Sequence, residues 1–260
     1  MKRISVVLLV LLSATVSLTA QDLSPYQKEY FILGNDTLPY RILLPVNYDA
    51  NTKYPLIYFL HGSGERGNDN EKQLVHGGKL FLKDDVRRDY PAIVVFPQCP
   101  QNSSWTNLKS KRGADGKRVL DFSADTPVTK GMQMAQALLH QLLNNYGVKK
   151  KQVYIGGLSM GGMGTFEIVR REPSLFAAAI PICGGGNPDV KKKMKKVKWW
   201  IFHGAKDTSV PLELSVQMHE ALLKKGAQAK LTIYPEAGHN SWDSAFAEPG
   251  LLPWLFAQHR

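Results

Sequence analysis

The chain predicts an α/β protein with a mostly parallel, twisted sheet of about eight strands, helices on both faces and an N-terminal antiparallel hairpin. Three observations lead there. Short, almost wholly apolar runs such as Leu56-Ile57-Tyr58-Phe59-Leu60 and Ala92-Ile93-Val94-Val95-Phe96 read as strands buried on both faces. Segments of helical period alternate with them, the pattern of crossover connections. Glycine-rich turns close several of the runs, and in parallel sheets ligand sites form at those carboxyl ends.

At the start, Lys2-Arg3, an apolar core from Ile4 to Leu12 and the small or polar run Ser13 to Ala20 have the layout of a secretory signal peptide. Cleavage is expected after Ala20, because the apolar core is shorter than the ~20 residues of a spanning helix. No cysteine follows it to carry a lipid, and nothing later is long and apolar enough to span a bilayer. Residues 21–260 are therefore expected as one exported domain, periplasmic or extracellular, without a membrane anchor. No linker, repeat or change of composition divides them.

Tyr26 to Leu33 and Leu38 to Leu44, separated by Gly34-Asn35-Asp36, form the expected hairpin. Leu56 to Leu60 is a central strand opening into His61-Gly62-Ser63-Gly64-Glu65-Arg66-Gly67. Glu71 to Asp84 has moderate helical period despite Gly77-Gly78. After the strand Ala92 to Phe96, residues Asn102 to Thr126 are polar and aperiodic, and read as a long surface loop. Pro127 opens a helix whose apolar positions run from Met132 to Leu142, with Gly147 as its stop. A strand and helix around Ser159 follow, then strands Phe176 to Ile180 and Lys198 to His203, a helix Leu212 to Lys225, the last strand Lys230 to Tyr234, and a closing helix Trp242 to Gln258.

With 43% hydrophobic residues the core is ample, and global disorder is excluded. The net charge of +11 falls to +9 without Lys2 and Arg3. That excess suits anionic polymers. The lysines gather in Lys149 to Lys151 and Lys191 to Lys196 without interleaved aromatics, so a solvated face is expected and nucleic acid is not.

Chemistry collects where strands end. Gly157-Leu158-Ser159-Met160-Gly161 fits the G-x-S-x-G elbow, a sharp strand-to-helix turn that lifts a serine hydroxyl off the sheet and aims the next backbone N–H at a developing oxyanion. Serine chemistry also needs a base and a group to orient it. Asp207 follows one strand and His239 another, in the order Ser, Asp, His. His61 and His203 also follow strands, each before a glycine, and read as loop-fixing. His76, His140, His219 and His259 have no chemical context. No cluster has metal-ligand spacing, and neither a metal nor a cofactor is expected.

With these residues the chain resembles the α/β-hydrolases, and among them the exported esterases and predicted peptidases related to feruloyl and acetyl-xylan esterases. The resemblance rests on His61 to Gly67, Pro97-Gln98-Cys99-Pro100, Gly157 to Gly162, Pro181-Ile182-Cys183-Gly184-Gly185, His203 to Asp207 and Gly238-His239-Asn240-Ser241-Trp242-Asp243. It implies Ser159 as nucleophile, His239 as general base and then acid, and Asp207 as the residue orienting it. By position, the backbone of Met160 and of either Ser63 or Gly64 would form the oxyanion hole. Trp105 and Trp242 are candidates for walls of a substrate pocket, against ordinary packing. Glu65 and Arg66 are expected to brace the oxyanion loop as an ion pair, with Glu65 a candidate for substrate contact.

The fold so implied puts two strands between those ending at Cys99 and Cys183, on the order of 14 Å at about 4.8 Å per strand. A disulfide needs Cα atoms within about 7 Å, so both are expected as free thiols near the cleft rim. The short, polar segment Gly184 to Lys198, where many relatives insert a lid, implies no large lid and an open cleft. Short acyl or aryl esters, acetyl or feruloyl groups on carbohydrate, are then the expected substrates. Cleavage of short peptides, acyl transfer to a sugar, and a silent glycan-binding relic are the alternatives.

Overall fold

The computed structural model describes residues 22–113, 118–122 and 127–260, and the expected signal peptide lies outside them. Ten strands are described: β1 Gln27–Leu33, β2 Asp36–Leu43, β3 Tyr54–Leu60, β4 Ile93–Pro97, β5 Lys109–Arg112, β6 Arg118–Asp121, β7 Val148–Leu158, β8 Ala178–Ile182, β9 Lys198–Gly204 and β10 Ala229–Tyr234. Eight form one sheet in the order β1-β2-β4-β3-β7-β8-β9-β10. From β4 to β10 every neighbouring pair is parallel, while β1 pairs antiparallel with β2 and β2 with β4.

Period-two alternation divides the apolar side chains between the two faces. Leu56, Tyr58 and Leu60 of β3 join one core, which takes in Met132, Leu138 and Leu142 of helix α2 (Lys130–Asn145), Phe166 and Val169 of α3 (Met160–Arg171), and Met218 and Leu222 of α4 (Leu212–Lys224). Ile57 and Phe59 face the other core, with Val86 of α1 (Asp84–Asp89), Ala245 of α5 (Trp242–Phe246), and Leu251 and Leu255 of α6 (Leu251–Phe256). Helix α2 starts at Lys130, capped by Thr129, and not at Pro127: the Thr129 hydroxyl accepts the Met132 N–H, satisfying an otherwise orphaned donor.

Three segments depart from the expected elements. Glu71 to Asp84 holds two 3-10 turns, Lys72–Leu74 and Leu80–Leu82, because Gly77 at φ +88° turns the chain out of any helix. The closing helix is two helices, α5 and α6, interrupted at Pro249-Gly250. The long loop contains a separate antiparallel hairpin, β5 with β6, whose Leu120 packs with Met163 and Val210.

The carboxyl ends of the strands are knitted sideways. Ser159 N–H donates to the Ile182 carbonyl (2.9 Å), Cys183 N–H to Phe202 (2.8 Å) and Ala205 N–H to Tyr234 (2.9 Å). Each exit residue therefore hangs from the next strand across. At the opposite end, β7 runs past its neighbours: Tyr54 pairs with Val148 and Leu56 with Val153, so Lys149 to Gln152 bulge opposite Pro55 alone. Proline has no N–H to continue the ladder there.

Candidate active site

Ser159 sits between β7 and α3 at φ 53°, ψ −115°, a conformation that costs a non-glycine residue ~1–3 kcal/mol. The turn is possible because its neighbours have no Cβ. One added at Gly161 would lie 1.9 Å from the Leu60 carbonyl oxygen, and one at Gly157 would lie 2.3 Å from that of Gly161. Met160, the first helical residue, has an N–H without an intrahelical acceptor. Beside it, Ser63–Glu65 forms a 3-10 turn, and a Cβ on Gly62 would stand 3.6 Å from Ser159 Cβ. The exposed Ser63 and Gly64 thus border the Ser159 turn, with their N–H groups at the open end of that 3-10 turn.

Residues Ser159, Asp207 and His239 converge from the ends of three strands. His239 Nε2 is 2.9 Å from Ser159 Oγ, and its Nδ1 is 2.8 Å from Asp207 Oδ2. The Asp207 side chain is wholly buried. Burial alone would raise its carboxyl, but hydrogen bonds from the His203 and His239 rings and from the N–H groups of Val210 and Ser209 outweigh that. They hold it well below the usual carboxylate range. Such a carboxylate stays ionised and fixes the imidazole by its Nδ1 proton, leaving Nε2 to face the hydroxyl.

Two further histidines build the loops. His61 is 2% exposed, and burial lowers its pKa to about 4, which keeps it neutral. Its Nε2 accepts the Cys99 N–H at 2.9 Å, so Nδ1 carries the proton toward the Gly62 carbonyl at 2.6 Å. His203 is fully buried, with Nδ1 2.7 Å from Ser215 Oγ and Nε2 3.0 Å from the Val210 carbonyl and 3.3 Å from Asp207 Oδ2. It braces the acid directly. The HisGly pairing hinted at loop-building, but nothing in the sequence tied His203 to the carboxylate itself.

The pocket candidates separate. Trp105 is fully buried and out of a substrate's reach: its ring lies 5.2 Å from that of His61 and its Nε1 donates to the His61 carbonyl. It supports the Ser63 turn from beneath. Trp242 is half-buried, edge-on to His239 at 5.4 Å and 4.9 Å from the His76 ring. Glu65 faces His76, with 3.8 Å between Oε1 and Nε2. The expected Glu65–Arg66 pair does not form among the described residues. Arg66 instead donates to the carbonyls of Ser63, Gln101 and Ser103, since three backbone acceptors surround its guanidinium. His76 thus packs between Trp242 and Glu65, a place its irregular segment concealed.

Cys99 and Cys183 are free and buried, and burial pushes each thiol up to about 12. Cys183 lies behind the triad rather than at the rim, with donor atoms of Cys183, Asp207 and His239 within 4.8 Å of one another. That spacing would admit a metal ion, but the His239 ring is already bonded to Asp207 at one nitrogen and to Ser159 at the other, and the thiol resists ionisation. The arrangement suits proton transfer better than coordination. No domain is inserted after Cys183: a 3-10 turn, Lys192–Lys196, follows a short coil. On the side of Met163 and Val210, Leu120 of the β5-β6 hairpin packs against the domain.

A family model described as phospholipase/carboxylesterase matches residues 45–248. The bifunctional acetylxylan esterase/xylanase of Neocallimastix patriciarum is 29% identical over 183 residues, 70% of this chain and 23% of that protein. A protein named probable feruloyl esterase C, from Aspergillus niger, is 23% identical over 208 residues, 78% of this chain and 67% of its own length. A solved thermostable esterase superposes with a TM-score of 0.80 at 32% identity, over 92% of this chain and 64% of that one. A ferulic acid esterase from Anaeromyces mucronatus shares the fold, with a TM-score of 0.64 at 17% identity over 90% of each chain. The chain therefore spans less than a quarter of the first of these relatives and under two thirds of the thermostable esterase. No helix among the described residues is long and apolar enough to cross a membrane.

Proposed function

The chain belongs to the phospholipase/carboxylesterase family of α/β-hydrolases, and from that premise we propose that it is a serine carboxylesterase hydrolysing short-chain or aryl esters on carbohydrate, acetyl or feruloyl. One observation carries the reading. The Ser159 hydroxyl, held at a strained elbow, meets His239 Nε2 at 2.9 Å while Asp207 holds the other ring nitrogen at 2.8 Å. The names of the relatives support the ester and carbohydrate parts. In the same reading residues 1–20 direct export to the periplasm or outside the cell, and 21–260 act as one domain.

Ser159 Oγ attacks the ester carbonyl carbon and gives its proton to His239 Nε2 while the carbonyl electron pair moves onto oxygen. The N–H of Met160, with that of Ser63 or Gly64, faces this oxyanion in a site that needs no reorganisation as charge develops. Collapse expels the alcohol, which takes the proton from His239 and leaves an acyl-serine. Water, deprotonated by His239, attacks the acyl carbon; a second collapse releases the acid and returns the proton to Ser159. Asp207 stays ionised throughout. Trp242, edge-on to His239 and in ring contact with His76, offers an aromatic face to a planar acyl or alkoxy group.

A panel of acetyl, feruloyl and butyryl esters with aminoacyl amides, run on purified protein, tests the proposal. Acetyl or feruloyl esters are expected to turn over fastest, and Ser159→Ala is expected to lose on the order of 10⁶-fold in kcat. A serine-directed fluorophosphonate should label the native protein and not Ser159→Ala. Amide turnover equal to ester turnover would make it a peptidase, and absence of labelling would leave a silent fold.

A further inference from the structure

At the amino end of the sheet, opposite Ser159, lies a cleft of about 630 Å³ lined by Lys53, Tyr146, Lys149, Lys150, Lys151 and His259 among others. It is a built feature rather than a frayed edge. The β7 bulge pushes Lys149 to Gln152 out of the ladder opposite Pro55, and the Arg260 N–H fixes its backbone by donating to the Lys151 carbonyl at 2.9 Å. Bulges re-aim side chains in this way. Lys53, Lys149, Lys150 and Lys151 are all exposed, and none has a carboxylate partner among the described residues. Asp49, on the turn just before Lys53, is engaged by Asn51 and Thr52. Like charges gathered in a concave site raise the local concentration of anions.

We propose that this cleft binds a carboxylate-bearing polysaccharide, a polyuronate chain, at a site separate from the triad. Three features of the lining choose that ligand. Its fixed cations are lysines, point charges that meet carboxylates spaced along a chain without the fixed bidentate geometry of an arginine fork. One half-buried tyrosine gives no platform on which successive bases could stack, which separates it from single-stranded nucleic acid sites. The lysines line a concave cleft, a shape that admits an extended polymer and not the flat face of a bilayer. What remains is a row of point charges in a concave groove of ligand-binding size. Lys150 and Ser159 lie at opposite ends of β7, roughly 25–30 Å apart at about 3.3 Å per residue. The two sites therefore do not overlap, and the binding function does not depend on hydrolysis at Ser159.

Affinity electrophoresis and calorimetry of the full chain with polygalacturonate test the proposal. The combined Lys149→Glu, Lys150→Glu and Lys151→Glu variant is expected to lose about tenfold or more in affinity, the sum of three modest charge pairs. A control of equal charge change, Lys192→Glu with Lys193→Glu and Lys195→Glu, is expected to stay within about twofold, because those lysines lie outside the cleft. Fully methyl-esterified polymer should not bind. Turnover of a small soluble ester should be unchanged in both lysine variants, which also reports that they fold; should the triple variant not fold, Lys150→Ala is measured in its place. The Ser159→Ala protein should bind polyuronate like the native one, so failure of the esterase reading and failure of this site are told apart. Equal losses in both lysine variants, no binding by the native chain, or equally tight binding of nucleic acid at the same salt would each overturn the assignment.

Discussion

The two ends of the sheet treat polar groups in opposite ways. At the carboxyl end, Asp207, His203, His239 and His61 each have a bonded partner at hydrogen-bond distance, and they are wholly or partly buried. At the amino end, the lysines of the bulge stand in solvent with no acidic partner among the described residues. The difference teaches where a substitution is felt. A group buried within a network leaves its partner unsatisfied when removed, at ~1–3 kcal/mol or more, whereas an exposed charge away from such features changes stability by only about 0.5 kcal/mol.

Substitutions ranked by expected effect sharpen that contrast. Asp207→Asn keeps the shape but disturbs the tautomer of His239, and ester turnover is expected to fall by roughly 10⁴-fold with polyuronate binding intact. Gly161→Ala drives a Cβ against the Leu60 carbonyl and is expected to cost about 4 kcal/mol or more in denaturant unfolding, placing it among the largest single-residue losses.

Next comes His61. Unfolded, it takes a proton near pH 6.5; folded, it refuses one until about pH 4. Between those values the unfolded chain binds more protons, so this group's contribution to stability is complete above pH 6.5 and is lost as pH falls toward 4, at up to about 1.4 kcal/mol per unit. His61→Gln keeps an acceptor for the Cys99 N–H and should flatten that part of the stability–pH curve. Smallest of all, Lys150→Ala should leave the unfolding midpoint within about 0.5 kcal/mol of native. A large loss there would break the comparison, since it would mean that the bulge is held by interactions of the Lys150 side chain.

Much of the carboxyl edge of the sheet could be read from the chain, because its requirements are local. A buried strand must be apolar, the elbow must lack Cβ atoms at Gly157 and Gly161, and Asp207 and His239 each lie in the loop after a strand. The parts that could not be read depend on neighbours distant in sequence. Helical period over Glu71 to Asp84 was overridden at Gly77, and with it went any hint that His76 reaches Trp242. Trp105 lies in a polar stretch that reads as exposed, yet its indole finds the His61 carbonyl 44 residues away. The bulge was hidden for a related reason: Lys149 to Lys151 look like a solvated face until Pro55 is seen opposite them.

The sideways ties at the strand ends carry a consequence for how the molecule ages under heat. Because the amides of Ser159, Cys183 and Ala205 are each bonded to the adjoining strand, opening any of these strand exits breaks bonds between strands. Those three amides should exchange with deuterium only as slowly as the sheet itself comes apart. Heat inactivation should then track the cooperative melting of the sheet, and a half-melted but still folded state without activity should not accumulate.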